Sequence, residues 1–365
     1  MLAALAATTA LCVEFSGAPT IRRRRDPSPS LYAVDVSALP QELASTFVLS
    51  ELDDETRAFT EASRNATTTL WGQWKLFIKD KLYWMLVEQC RWGGVDASAF
   101  LRKSQMFVAS RAQLGRLLER AAVPTAAVPN DRMLDVGAGR GDVTNVLATA
   151  LHIDDPMRVF AMESSAPIRR ELRRRWGYRA VAGFEDVGSE PFHVVALLNV
   201  LDRIDEPAGM LRAAAGLLQP QGGILIVSTV LPFRGEILLP ENYVRRPRRP
   251  LKLEQVAATE GSTRPPRLTR FERAGAAFVR AVLREAGAST GASELLAWTR
   301  LPYLSSADVS YTHHVLEHAL FVVRVPGRVL PDGVAECDPA DATTACSADA
   351  PRSDSTSKEE AHGEL

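Results

Sequence analysis

Met133-Leu134-Asp135-Val136-Gly137-Ala138-Gly139-Arg140-Gly141-Asp142-Val143-Thr144 is the stretch on which the fold turns. An apolar run, Met133 to Val136, leads into three alternating glycines, and the pattern predicts a helix from about Asp142. Glycine has no Cβ, so it turns sharply and lets a ligand approach the backbone closely. Strand, glycine turn and helix in that order is how an open α/β sheet offers its carboxyl edge to a nucleotide-like ligand.

The spacing narrows the ligand. A dinucleotide site wants its third glycine three positions after the second, and Asp142 stands there. A pyrophosphate also avoids a carboxylate at the helix start. Gly137, Gly139 and Gly141, with Asp135 on the strand, better suit a phosphate-free ligand that carries an ammonium. S-adenosylmethionine is the common one. A glycine turn with no ligand is the alternative. The next apolar strand, Arg158 to Met162, ends in Glu163, at the distance where such folds place the acceptor for ribose hydroxyls. A solvated strand-end glutamate is the plainer reading of that residue.

The bulk numbers permit this and exclude other classes. The chain has 365 residues, 46% hydrophobic and 24% charged, enough for one large or two ordinary domains. A net charge of -1 does not imply a general nucleic-acid binder. The four cysteines, Cys12, Cys90, Cys337 and Cys346, suggest neither a disulfide framework nor a zinc site. No apolar run reaches the ~18 residues of a membrane span. Met1 to Val13 is apolar and alanine-rich, with Arg22 to Arg25 behind it. That order suggests a targeting leader whose destination (endoplasmic reticulum, mitochondrion, plastid, or none) stays open.

Four regions are expected. Residues 1–38 read as leader and linker. Residues 39–125 read as a helical extension in which Leu70, Trp71, Trp74, Phe77, Ile78, Leu82, Trp84 and Met85 recur at helical spacing, as on a core-facing helix, with a membrane-surface helix as the alternative that the interleaved Trp and Lys residues allow. Residues 126–326 alternate strand and helix, with strands near 132–136, 158–163, 178–182, 193–199, 222–230, 297–304 and 318–325. That alternation predicts a mainly parallel sheet. Within it, 234–270 reads as a solvated basic loop, and residues 327–365, small and acidic, as a disordered tail.

Three further segments join the glycine loop: Leu197-Leu198-Asn199-Val200-Leu201-Asp202-Arg203, Val230-Leu231-Pro232-Phe233, and Thr299-Arg300-Leu301-Pro302-Tyr303-Leu304. With Ser104-Gln105-Met106-Phe107-Val108, they make a set that resembles the DREV family of methyltransferases, also called methyltransferase-like protein nine. The likeness runs from about Phe100 to Val325, outside 234–270. It implies a class I, Rossmann-like α/β fold with a seven-stranded sheet. It also implies S-adenosylmethionine-dependent methylation of the pros (Nδ1) nitrogen of histidine in His-x-His sequences of protein substrates.

By that resemblance, Asp135, Gly137, Gly139, Gly141, Glu163, Asn199 and Tyr303 are expected to bind the cofactor. Asp202 is expected to face the substrate imidazole. Two positions depart from the family: Arg140 stands where an acid is usual, and His314 falls where a substrate-side tyrosine is usual, which makes it a second catalytic candidate. His313, His314 and His318 suggest no metal site, because neighbours on a strand point apart. A methyltransferase of another substrate class, and a cofactor-binding scaffold without catalysis, are the competing readings.

Overall fold

Strands buried on both faces must be apolar throughout, and four such runs make the centre of the sheet. They are Met133–Val136 (β2), Val159–Met162 (β3), Val194–Leu198 (β5) and Gly222–Val230 (β6), which follow the two-residue edge strand Met106–Phe107 (β1). Arg179–Val181 (β4) extends the parallel group at one side. The long strands β9 (Glu294–Ser306) and β10 (His313–Pro326) complete the other side as an antiparallel hairpin, with β10 lying between β6 and β9. The order is β1-β9-β10-β6-β5-β2-β3-β4. The computed structural model describes residues 21–103, 105–124, 131–238, 244–254, 269–288 and 291–327.

The sheet has eight strands where seven were expected. β1 pairs with Ser305 and Leu304 at the end of β9, and two residues are too few to show a strand period in sequence. The doubly wound class holds. Strand β2 pairs in parallel with both β3 and β5, so the connections diverge on either side of it. Ligands bind in such a fold at the carboxyl ends of the strands beside this switch point.

Helices Asp142–Ala150, Ala166–Glu171, Pro207–Gly216 and Arg270–Ala286 pack along the sheet. The last begins with a reciprocal cap, in which the Thr269 hydroxyl accepts from Glu272 N–H and the Glu272 carboxylate accepts from Thr269 N–H. Among the described residues, Trp298 is the largest fully buried side chain. It sits 4.9 Å from Phe47 and 5.8 Å from Phe321, with its indole N–H donating to Leu43 O at 2.8 Å.

Three regional expectations change. The expected linker is a strap from residue 21 onward: Arg22 exchanges backbone bonds with Ser310 and Thr312, and Tyr32 is 2% exposed. It lacks a periodic pattern because its bonds go to distant loops rather than to itself. The extension 39–125 is not separate from the sheet, since it supplies β1 and the helix Arg111–Arg120, whose Leu114, Leu117 and Leu118 are buried. Its helix Leu70–Trp84, expected to face the core, contains no buried residue.

The loop 234–270 is more than a solvated segment. Ile237–Leu238 (β7) pairs with Val244–Arg245 (β8), Arg245 forks onto Asp205 with both contacts at 2.5 Å, and Leu251 is buried. Its stretches 239–243 and 255–268, residues 1–20 of the leader and the tail from 328 lie outside the described residues.

Candidate active site

The glycine loop ends β2 with all three glycines at positive φ: 78° at Gly137, 51° at Gly139 and 81° at Gly141. The three serve different purposes. A Cβ at Gly137 would meet Val200 Cγ2 at 2.9 Å, so this residue lets the turn lie against the loop after β5. A Cβ at Gly139 would meet nothing within 4 Å, so its backbone borders open space. Gly141 caps helix Asp142–Ala150 and packs under Leu172 and Trp176, at 2.7 and 2.8 Å from an added Cβ. It is not among the residues lining the cavity described next, so its role is to shape the loop rather than to touch a ligand.

A cavity of about 630 Å³ opens above the switch point, a size that suits a nucleoside-sized ligand. Its floor includes Asp135, Gly137, Gly139, Glu163, Asn199 and Tyr303. The structure thus brings together six of the seven expected cofactor residues. Its roof comes from the N-terminal region: Tyr83, Val95, Ser98, Ala99 and Met106. Sequence reasoning assigned no cavity role to this half: Met106 belongs to a segment quoted for the resemblance, and the other roof residues lie far from the glycine loop in the chain and carry no motif.

Asp135 is fully enclosed. Its Oδ2 accepts from the Thr144 hydroxyl at 2.6 Å, and its Oδ1 has no hydrogen-bond partner among the described residues. Burial pushes its pKa up to about 7, eased by Thr144 and reinforced by the nearby Glu163 carboxylate. Glu163 Oε2 accepts from Gly139 N–H at 3.2 Å and its Oε1 from Ser165 N–H at 3.0 Å. The strand-end acid therefore stands directly over the glycine turn. Arg140 does not leave the loop positive: it forks onto Glu171 at 2.9 and 3.4 Å, which lowers the Glu171 pKa.

Asn199 follows β5 with φ 55°, a left-handed conformation that asparagine tolerates better than most residues. Its Nδ2 donates to His318 Nε2 at 3.2 Å, and its Oδ1 has no partner among the described residues. His318 is completely buried, and burial pulls its pKa down to about 3, so the ring is neutral. Tyr303 stacks on that ring with centroids 5.7 Å apart. Histidine 318, weighed in the sequence only as a metal ligand, in fact ties Asn199 and Tyr303 into one unit.

Asp202 lies in the turn Leu201–Arg203, with 19% of its side chain exposed. It is not a lining residue, although Val200, Arg203 and Ile204 around it are. Its Oδ1 takes no hydrogen bond among the described residues and has Arg203 Nε at 3.7 Å; burial raises its pKa and Arg203 partly offsets that. Arg203 is a site residue that adjacency to Asp202 alone could have suggested. His314 is elsewhere. It is held by Asp308, Nε2 to Oδ2 at 2.7 Å, packs edge-on against Tyr311 and does not line the cavity. His313 contacts Arg25 O instead, so the three histidines of β10 turn to three different partners.

These features fit S-adenosylmethionine. Two buried oxygens, Asp135 Oδ1 and Asn199 Oδ1, have acceptor capacity to spare, and the ammonium of the ligand's amino acid end brings donors. Glu163 has the strand-end position that suits ribose hydroxyls.

A family model described as DREV methyltransferase matches residues 31–325. A ubiquinone biosynthesis O-methyltransferase of Xanthomonas campestris pv. campestris (strain B100) is 32% identical over 117 residues, 28% of this chain and 45% of that protein. The chain thus spans about half the length of the curated relatives it matches. Among solved structures, it is similar to the [4+2]-cyclase SpnF, at 17% identity and a TM-score of 0.34 over 60% of this chain and 83% of that one. It is also similar to LepI in complex with SAM, at 11% identity and a TM-score of 0.38 over 67% and 54%. With the family model running from the second half of the strap through the roof and the glycine loop to β10, the chain belongs to the DREV methyltransferase family.

Proposed function

We propose that the chain methylates the Nδ1 nitrogen of histidine in His-x-His sequences of a protein substrate. The observation that supports this most is Asp202. It is a largely buried carboxylate with a free Oδ1, beside the cavity and at the carboxyl edge of the sheet. When bound, S-adenosylmethionine supplies a methyl group on a sulfonium, open to attack by a lone pair.

The chain's own residues do the rest. Asp135, Glu163 and Asn199 would hold the cofactor, and the roof residues exclude water. Histidine needs no strong base, since its pKa of about 6.5 leaves much of it neutral at pH 7. What must be chosen is the tautomer. Asp202 accepts the Nε2 hydrogen of the incoming imidazole, which leaves the Nδ1 lone pair free. The ring becomes cationic as its new N–C bond forms, and the same carboxylate stabilises that charge, as an aspartate does in hydrolase triads. The Nε2 proton is then lost to solvent. Burial raises the Asp202 pKa and Arg203 beside it offsets part of that rise, which favours the carboxylate form.

The test is labelled S-adenosylmethionine with the full chain and a peptide of repeated His-Ala-His. Label on Nδ1 is expected, with Asp202→Asn reducing turnover by at least 100-fold while S-adenosylhomocysteine binding persists. Cofactor binding with no label in the peptide sinks the histidine assignment and points to another acceptor class.

A further inference from the structure

We infer that the helix Leu70–Trp84 and the turn after it dock the chain on an anionic lipid bilayer, an inference that stands apart from the acceptor proposed above. Four of the chain's six tryptophans fall between positions 71 and 92. None of the helix's side chains is buried, and Trp71 is 74% exposed. Large apolar residues on a soluble surface mark an interaction site when they gather rather than scatter.

They gather here. At about 100° per residue, Trp71, Ile78, Leu82 and Met85 fall within roughly 60° of arc, one stripe along the helix. All four are exposed. Lys75 lies at the edge of the stripe, and Lys79 and Lys81 flank it about 80° to either side. Asp80 falls on the opposite side, where Lys103 pairs with it at 2.8 Å. Phe100, 64% exposed, and Val95, 56% exposed, add apolar surface from the next helix, Gly94–Phe100.

An apolar stripe rich in tryptophan, edged by lysines, is the pattern of a helix lying in a bilayer interface. Its rings sit at headgroup depth and its ammonium groups reach the phosphates. The charge selects the occupant. Residues 70–103 hold six basic and three acidic side chains, which complement an anionic surface. Partial burial, and then the positive charges of Lys75, Arg140, Arg102 and Lys103, lower the Lys79 pKa, so this face gathers cationic groups. No helix among the described residues is long and apolar enough to cross a membrane, so the contact is peripheral. Val95 and Tyr83 line the cavity, which places its rim against the lipid.

Flotation of the full chain with vesicles of phosphatidylcholine alone, or with 30% phosphatidylserine, tests this. Binding is expected to the serine-containing vesicles, at least tenfold weaker in their absence and in 0.5 M salt. The double variant Trp71→Glu, Ile78→Glu is expected to lose at least tenfold. Its S-adenosylhomocysteine affinity should match that of the unmodified chain, which reports an intact fold. Lys79→Glu with Lys81→Glu is expected to erase the preference for phosphatidylserine. No binding to either vesicle, equal binding by the Trp71/Ile78 variant, or a dimer in sedimentation equilibrium that this variant dissolves would overturn the proposal.

Discussion

Asp135 concentrates the site's electrostatics in one side chain. Its pKa rises from the usual 3.8 to about 7 because burial penalises the charged form. Between about pH 4 and pH 7 the unfolded chain sheds this proton while the folded chain keeps it, so unliganded stability falls as pH rises through that window and levels above it. An ammonium beside Oδ1 favours the ionised form, so cofactor binding has the opposite slope. Calorimetry with S-adenosylhomocysteine is expected to show affinity falling up to tenfold per unit below about pH 7 and flat above it, with Asp135→Asn weaker and flat throughout; a flat profile in the unmodified chain removes Asp135 from the binding role. The Asn199–His318 pair makes a second residue-scale prediction. His318→Phe strands a buried amide, which costs about 1–3 kcal/mol. It should weaken S-adenosylhomocysteine binding about tenfold, Asn199→Ala should do the same, and the double variant should add little, because both act through one bond. Of these residues Asp135 and Glu163 were legible in the sequence, the one inside the apolar strand before the glycine turn and the other directly after the next apolar run, while Asn199 was reached through the family resemblance. His318 was not legible, because a buried histidine in an apolar strand looks the same whether it serves a metal, a core or an asparagine.

Among the elements, the parallel half of the sheet was readable because strands covered on both faces must be apolar along their length. Ala196, Leu197, Ile226 and Val227 are wholly buried, and an α-helix joins β2 to β3, β3 to β4 and β5 to β6. The segment that holds strand β1 was noticed only through the family resemblance, and neither its pairing nor the roof was readable. Their partners are far off in sequence: Gln105 O meets Ser306 N–H, about two hundred residues away, and no local pattern encodes such a bond. The glycine loop shows how an element sets a residue's role against its motif. Gly141→Ala puts a Cβ at 2.7 Å from Leu172 and holds a non-glycine residue at φ 81°. A destabilisation of about 1–3 kcal/mol is expected from the strained backbone alone. Urea unfolding would read it, and S-adenosylhomocysteine affinity per folded molecule should fall less than for Asp135→Asn, because Gly141 does not line the cavity.

The whole molecule is held closed by its strap. Residues 22–38 cross from the β9–β10 hairpin to the helix Arg270–Ala286: Arg22 N–H donates to Ser310 O, and Asp35 N–H donates to Glu272 Oε1 at 2.9 Å. Arg300 donates to Ala33 O at 2.7 Å, and Tyr32 packs into the same buried cluster as Leu117, Met133 and Tyr303. Removing the strap takes away these hydrogen bonds and opens the apolar surface under the buried Tyr32 to water. Because Tyr303 shares a cluster with Tyr32, a loss at the strap reaches the cavity wall. Truncation of an aromatic side chain in a packed core costs about 3–5 kcal/mol. For a protein of this size, that corresponds to a Tm lower by roughly 4–8 °C. Tyr32→Ala is therefore expected to lower Tm by about that amount, and deletion of residues 1–38 by more. Saturating S-adenosylhomocysteine should recover part of the loss by binding the folded state. Scanning calorimetry with and without the ligand decides it. A deletion that melts like the full chain would mean that the strap rests on the fold without supporting it.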